Sequence, residues 1–266
     1  MHFVQIRLAF FVGLAVGVFA PWQHSSPTFA QETPRQEFYE LRYYHIDSAA
    51  NQGIVGRYLE KALLPALGRM EIDRVGVFRK MDQPDDHALI VLIPFPNMEM
   101  FAALNDRLEA DAEYQTASAE LMQLPKNKPA YQRMESRFMK AFKGMPVIEL
   151  PEQTRDRSER MFEIRIYEAH NELKGRAKVA MFNDGEIDIM RDVNMAPVFY
   201  GETLIGPDVP NLIYMLSAAN RAAHDEHWKA FGGHPEWNRM KGMEKYKDTV
   251  SKITNWYVVP ESYSQL

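Results

Sequence analysis

The chain has 266 residues, a formal net charge of −5 and no cysteine. The missing cysteines exclude disulfides, thiolate metal sites and cysteine nucleophiles, and the interspersed charges form no basic stripe, which argues against a nucleic-acid partner. With 46% hydrophobic and 12% aromatic residues, the composition is that of an ordinary globular protein.

The first thirty residues differ from the rest. Arg7 is the only Lys, Arg, Asp or Glu before Gln31, and an apolar run over 8–20 follows it. A basic start, a short apolar core and a small residue before the cut are typical of a secretory signal, and the core is too short to favour a spanning helix. We expect 1–30 to be a signal peptide cleaved near Ala30, which leaves a periplasmic or extracellular protein with no membrane segment.

The next elements follow from the period of the apolar residues. Strand-like alternation or short apolar runs predict four strands, at 38–45, 75–80, 89–93 and 131–138. Helical spacing predicts helices at 48–70, 97–108 and 113–124. Ser48 can cap the first helix, and Pro65 is expected to kink it or end it early.

The second part of the chain repeats this order. Strands are predicted at 162–168, 198–205, 211–217 and 253–259, and helices at 172–191, 219–231 and 236–249. The intervening residues 143–160 contain two prolines and many charges, so they are interpreted as a linker between a first domain at 37–142 and a second at 161–260.

Three sequence pairs recur 123 residues apart without a gap. The segment Tyr39-Glu40-Leu41-Arg42-Tyr43-Tyr44 returns as Phe162-Glu163-Ile164-Arg165-Ile166-Tyr167. The apolar strand at 89–93 returns at 212–216, and Glu113-Tyr114 returns as Glu236-Trp237. A period this long is too large for a solenoid and indicates a duplicated domain.

The order strand, helix, strand, strand, helix, strand is the ferredoxin-like arrangement, in which helices cover one sheet face. We therefore predict an α+β fold with two tandem ferredoxin-like (βαββαβ) domains. Their bare sheet faces should pack sheet to sheet as an intramolecular dimeric α/β-barrel.

The repeated strand motif and the ending His234-Pro235-Glu236-Trp237 carry a family likeness. The chain resembles the NIPSNAP family of the dimeric α/β-barrel superfamily, although His234 stands where that family usually has an acidic residue. The resemblance implies the two-unit fold and no particular reaction. Relatives in the wider superfamily include haem-handling enzymes and cofactor-free monooxygenases, which is an analogy of fold alone.

The repeated Glu-x-Arg-x-Tyr trios are the first candidate site. Alternation is expected to place Glu40, Arg42 and Tyr44, and likewise Glu163, Arg165 and Tyr167, on the sheet face opposite the helices. In that shared interior the Glu and Arg side chains of the two trios would pair with one another and so fix how the copies dock. Alternatively, Arg42 and Arg165 could hold an anionic group beside Tyr44 and Tyr167.

The second candidate is a pair of histidines, His224 and His227, on one predicted helix with His234 nearby. Zinc or iron could use such a set, but no third ligand is fixed by the sequence, so no metal is predicted and solvated histidines are the simpler interpretation.

The third candidate is aromatic. Trp228 and Trp237 are expected to lie in the core under the helices. A second interpretation makes them the walls of a flat pocket for a planar apolar ligand, with His227 as its polar handle.

We therefore expect an exported protein that binds a small planar ligand or a protein partner, including another copy of itself. The alternative is an oxygen- or haem-handling oxidoreductase that uses a pocket in the second domain. The sequence predicts neither a cofactor nor whether the chain is an enzyme.

Overall fold

The computed structural model describes residues 35–81 and 83–266. The predicted signal peptide at 1–30 lies outside the described residues. No helix in the described part of the chain is long and apolar enough to cross a membrane.

Residues 35–81 and 83–141 contain four strands and five α-helices. The strands are β1 (Phe38–His45), β2 (Gly76–Lys80), β3 (Leu89–Phe95) and β4 (Arg133–Ala141). The helices are α1 (Ala49–Tyr58), α2 (Leu64–Arg69), α3 (Met98–Ala102), α4 (Leu104–Ala110) and α5 (Ala112–Met122). The Oγ of Ser48 accepts from the N–H of Asn51 at 3.3 Å, so this residue caps α1 as predicted.

A short helix, α6 (Glu152–Arg155), lies between the halves, and the second half repeats the first. Its strands are β5 (Met161–Glu168), β6 (Pro197–Ile205), β7 (Asn211–Ala218) and β8 (Lys252–Pro260). Its helices are α7 (Glu172–Met181), α8 (Ile187–Asp192), α9 (Arg221–Gly233) and α10 (Pro235–Met240).

All eight strands form one closed antiparallel barrel in the order β1-β3-β2-β8-β5-β7-β6-β4. Within each half the order places the first strand at the centre, and the halves meet through the β2–β8 and β4–β6 pairs. The predicted α+β class is confirmed. Closure leaves no free sheet edge in this barrel.

The barrel interior is filled by apolar side chains from both halves, among them Tyr39, Phe78, Phe162, Phe199 and Leu266. Tyr39 contacts Phe199 and Phe78 contacts Phe162, with ring centroids 5.0 and 5.1 Å apart. A filled interior makes the barrel a packed core and leaves the outer layer, between strands and helices, as the place for a site.

Three predicted elements differ from the structure. Pro65 does not end its helix, because a π-helical segment at Leu59–Leu63 leads directly into α2 with Pro65 in its first turn. The helix predicted at 236–249 stops at Met240. The predicted linker 143–160 is packed against the barrel, since Met145 and Ile148 are buried.

At the equivalent place, 123 residues after the π-helical segment of the first half, the helical segment Phe182–Glu186 is kinked at Gly185. Gly185 within it has φ +148°, a conformation that side chains with a Cβ rarely adopt. Both halves interrupt the regular α-helix at the same place, so residues 123 apart can be compared directly.

Candidate functional site

The trios face the helices, which corrects the sequence-based placement. Tyr44 belongs to the apolar cluster beneath α1 and α2, and Tyr167 to the cluster beneath α7 and α8. The opposite face of β1, with Tyr39 and Leu41, enters the barrel instead. The alternation of side chains along the strand was predicted correctly, but the face assigned to each set was wrong. The apolar side chains face the barrel interior, and the polar trios face the helical layer, where they have hydrogen-bond partners. The two trios therefore share no interior.

In the first half, Glu40 and Arg42 of the trio form an ion pair with each other. Arg42 Nη2 lies 2.9 Å from Glu40 Oε2, and Ser136 donates to Glu40 Oε1 at 2.8 Å. Burial alone lowers the pKa of Arg42, but the adjacent Glu40 carboxylate outweighs it and raises that pKa. Tyr44 is 2% exposed, so this trio has little contact with solvent.

In the second half Glu163 is the centre of a larger network. Its Oε1 accepts from Arg165 Nη1 at 2.7 Å and from Asn255 Nδ2 at 3.2 Å. Its Oε2 accepts from Trp228 Nε1 at 3.0 Å and faces His224 Nε2 at 3.1 Å. The Trp228 Nε1–H also lies 3.1 Å from His224 Nε2, so it is shared between the carboxylate and the imidazole.

Burial acts to raise the pKa of Glu163, but the His224 hydrogen bond and the Arg165 charge lower it to about 2. The carboxylate therefore stays ionised although the residue is 0% exposed. Glu163 holds Arg165 in place for its contacts on the other side.

Arg165 in turn holds Tyr167. Its Nε and Nη2 donate to the Tyr167 hydroxyl oxygen at 3.2 and 3.1 Å, and the Trp228 ring lies 4.4 Å from the guanidinium carbon. The Tyr214 hydroxyl donates to the same oxygen at 2.9 Å. With its lone pairs used in this way, Tyr167 has its own O–H to donate to another group.

A buried ion pair lies on the helical side of Tyr167. Lys178 Nζ of α7 lies 2.7 Å from Glu186 Oε2, and the two side chains are only 6% and 2% exposed. The ammonium also lies 4.7, 5.5 and 5.6 Å from the ring centroids of Phe182, Trp237 and Tyr167. Burial raises the pKa of Glu186, and the Lys178 charge opposes that rise.

The equivalent positions in the first half are Val55 and Leu63, both 0% exposed. The fold therefore does not require charges at these places. Removing two ions from water costs several kcal/mol for each, which only a close partner offsets. The pair is consequently a feature of the second half that folding alone does not explain.

A cleft of about 270 Å³ opens between α7 and the β6–β7 hairpin. Tyr167 and Lys178 line it together with the polar residues Arg176, Glu202 and Asn211. Its wider lining also includes Glu172, Val179, Thr203, Leu204, Val209, Pro210 and Leu212. Leu204 and Val209 are 41% and 50% exposed, so the mouth of the cleft is apolar.

The structure brings together four of the residues proposed from the sequence: Arg165, Tyr167, His224 and Trp228. Trp237 contacts Phe231 at 4.6 Å between ring centroids, in agreement with the core interpretation. A ligand-binding role for Arg42, Tyr44 or Trp237 stays a prediction.

The histidines do not converge. His224 is 2% exposed and turned inward, contrary to a solvated face, because its ring is held by Glu163. His227 is half-buried, which lowers its pKa, and His234 Nε2 lies 3.9 Å from Asp192. Within 35–81 and 83–266 no three His, Asp or Glu side chains form a group that could hold a metal ion.

Haem does not fit the space between α9 and the sheet. A haem iron needs an axial side chain that faces an open cavity. His224 faces Glu163, and Trp228, Phe231 and Trp237 fill the space with ring centroids 4.6 to 5.5 Å apart. His227, the predicted handle, is not part of the cleft lining.

Sequence reasoning missed Lys178, Glu186 and Tyr214. A signal was available in the two copies, since hydrophobic Val55, Leu63 and Val91 stand at the equivalent positions. A gain of polar groups at three core positions of only one copy indicates a site there.

The antiparallel eight-stranded barrel with helices on its outer face defines an α/β-barrel protein of ferredoxin-like topology. Residues 162–265 match the model of the NIPSNAP family. The chain thus carries a NIPSNAP domain in its second half, and the resemblance found in the sequence is confirmed. No curated protein matches the chain.

Solved structures share the fold. A protein described as a "putative monooxygenase" from Lactobacillus acidophilus NCFM has a TM-score of 0.56 at 10% identity, over 85% of this chain and 94% of that one. A protein of the same description from Fusobacterium nucleatum has a TM-score of 0.54 at 7% identity, over 85% and 93%. An uncharacterised NIPSNAP-like domain protein from Burkholderia xenovorans is 20% identical over 40% of this chain and 89% of its own, with a TM-score of 0.37.

Proposed function

We propose that this protein binds a small organic molecule of mixed polarity in the cleft between α7 and the β6–β7 hairpin. We also propose that the chain is a tandem of two NIPSNAP-like, ferredoxin-like domains, of which the second has become the binding domain. The observation that carries the proposal is the buried Lys178–Glu186 pair beside the cleft, where the first half has Val55 and Leu63.

The size of the cleft limits the ligand. Pockets for drug-sized molecules measure about 300–1,000 Å³, and this cleft measures about 270 Å³. A molecule of one or two rings is therefore the appropriate size.

The charges of the lining limit its chemistry. Because Lys178 is paired with Glu186, the other charges of the lining are those of Arg176, Glu172 and Glu202, which together disfavour a strong anion. Leu204 and Val209 offer apolar contact at the mouth, and Tyr167 offers an O–H deeper in the lining. The ligand we propose is a compact, largely apolar molecule with one hydrogen-bond acceptor.

The test uses 2-naphthol as a probe, measured by saturation-transfer NMR and equilibrium dialysis. Leu204→Trp fills the cleft mouth, and Met81→Trp makes the same change at the equivalent place in the first half. Binding that is retained in Met81→Trp and lost in Leu204→Trp supports the proposal. Equal binding to both variants, or none to the parent protein, contradicts it.

A second candidate is an oxidoreductase that acts on the molecule bound in this cleft. It is favoured by the fixed Tyr167 hydroxyl, whose proton is free to be donated to a bound substrate. The likeness to proteins described as monooxygenases concerns the fold only. Oxygen uptake with 2-naphthol that disappears in Tyr167→Phe would support this candidate, and no uptake by the parent protein would dismiss it.

Export to the periplasm or extracellular space is part of the proposal and is supported by the signal-like sequence at 1–30. Binding of a protein partner or of a second copy is supported by the exposed side chains of Leu204, Ile205 and Val209. Light scattering tests self-association, and a monomer that is unchanged by Ile205→Asp would argue against a second copy.

A further inference from the structure

We propose that Lys178 captures an aldehyde or ketone in this cleft as a covalent imine. The inference rests on the proposed function, since the carbonyl compound must first enter the same cleft. It adds a reactive group and a substrate class to what would otherwise be reversible binding.

The surroundings of Lys178 are those of a reactive amine. Its side chain is 6% exposed and packed among the rings of Phe182, Trp237 and Tyr167, yet the residue lines the cleft. A lysine amine that lies at the wall of a cleft and beside a carboxylate able to take its proton has the arrangement of an activated nucleophile.

Glu186 supplies the place for the proton. The distance of 2.7 Å between Lys178 Nζ and Glu186 Oε2 is within the range for direct proton transfer. Burial raises the pKa of Glu186, so this carboxylate accepts a proton more readily than an exposed one. The charge and hydrogen bond of Lys178, and then the Arg165 charge, act in the opposite direction on the pKa of the same carboxyl.

The step balances without an oxidant or a second reagent. The Lys178 ammonium passes one proton to Glu186, and the neutral amine attacks the carbonyl carbon. One of its two remaining protons moves to the carbonyl oxygen to give a carbinolamine, and the other stays on the nitrogen. The C–O bond then breaks, the oxygen leaves as water with the proton from Glu186, and a C=N bond to Lys178 remains. Tyr167, which lines the same cleft, is placed to donate its O–H to the carbonyl oxygen as charge builds there.

The rest of the chain supplies internal controls. Lys245 and Lys252 form surface ion pairs with 54% and 61% exposed side chains, so they report unspecific reaction. The equivalent of Lys178 in the first half is Val55, so that half contains no competing amine at this place.

The experiment treats the folded full-length protein with 2-naphthaldehyde and sodium cyanoborohydride, which fixes an imine as a secondary amine. Intact mass and peptide mapping then locate the adduct. We expect Lys178 to be labelled at least about tenfold faster than Lys245 or Lys252, as proximity and proton transfer together allow. Excess 2-naphthol should protect Lys178 and leave the surface lysines unaffected.

Two variants sharpen the result. Lys178→Met/Glu186→Leu removes amine and carboxyl together and should abolish the fast labelling, while Glu186→Gln should slow it by about tenfold or more. Labelling of Lys178 no faster than that of Lys245, or fast labelling that 2-naphthol does not prevent, overturns the proposal. If 2-naphthol binds and Lys178 is not labelled, the imine fails and the binding function stands. If neither aromatic probe binds, both fail.

Discussion

Replacing the Lys178–Glu186 pair with apolar residues should leave the fold at least as stable as it is now, while removing one member should harm it. In Lys178→Met or Glu186→Leu, an uncompensated ion is left with 2% or 6% exposure. Such a loss costs about 3–5 kcal/mol. For a chain of this size it should lower the melting temperature by about 6–20 °C.

The double variant removes both ions and fills their volume. The first half shows that Val55 and Leu63 pack at these positions without exposure. Exchange of a buried pair for well-packed apolar groups is neutral or stabilises by about 1–4 kcal/mol. We therefore expect a stability equal to or above that of the parent, measured as the urea midpoint and unfolding free energy.

The same double variant should lose 2-naphthol binding although it is stable. This combination separates a functional role for the pair from a structural one. A double variant destabilised by the sum of the two single losses would show that the two ions do not compensate one another.

Three further predictions concern the hydrogen-bond network of Glu163, the helix kink at Gly185 and the N-terminus. The pKa of Glu163 is lowered from 4.5 to about 2, so its contribution of about 3 kcal/mol to the unfolding free energy is complete above pH 4.5 and is lost as the pH falls toward 2. Urea midpoints between pH 2 and 5 should therefore fall steeply in the parent protein and not in Glu163→Gln. Parallel curves for the two proteins would contradict this prediction. Gly185→Ala should destabilise the fold by about 1–3 kcal/mol, because φ is +148° and an added Cβ would lie 2.9 Å from Met240. Gly68→Ala in α2 is the control: a Cβ there meets nothing within 4 Å, so the melting temperature should not fall. Equal losses in both variants would show that backbone strain is not the cause. N-terminal sequencing of protein recovered from the periplasm of an expressing bacterium should begin near Gln31, and an intact Met1 would contradict cleavage.

The repeated register made most of the fold predictable. Strand alternation in 38–45 and its return at 162–168 located the two central strands, and the βαββαβ order in each half implied how they pair. The π-helical segment at 59–63 was not predictable, because its composition is that of the helix around it. Pro65 then fits the first turn of α2.

Alternation alone could not show which face of each central strand points into the barrel. Both faces of β1 carry tyrosine, with Tyr39 on one and Tyr44 on the other, so neither face was clearly apolar. The barrel interior receives Tyr39 because its neighbours there are apolar, whereas Arg42 needs Glu40 and Ser136 nearby.

The Lys178–Glu186 pair was hidden for another reason. Charged residues in an amphipathic helix are normally on the solvent face, and only their tertiary position shows that these two are buried. Comparison with the aligned copy, and not hydrophobic periodicity, is the signal that could have found them.

Methyl NMR of the protein titrated with 2-naphthol shows in which half of the barrel the ligand binds. A site in the second half predicts shifts for Val179, Leu204, Val209 and Leu212 around the cleft, with no change at Val55 and Leu63. Shifts centred on the first half, or none near α7, would contradict a binding site in the second half.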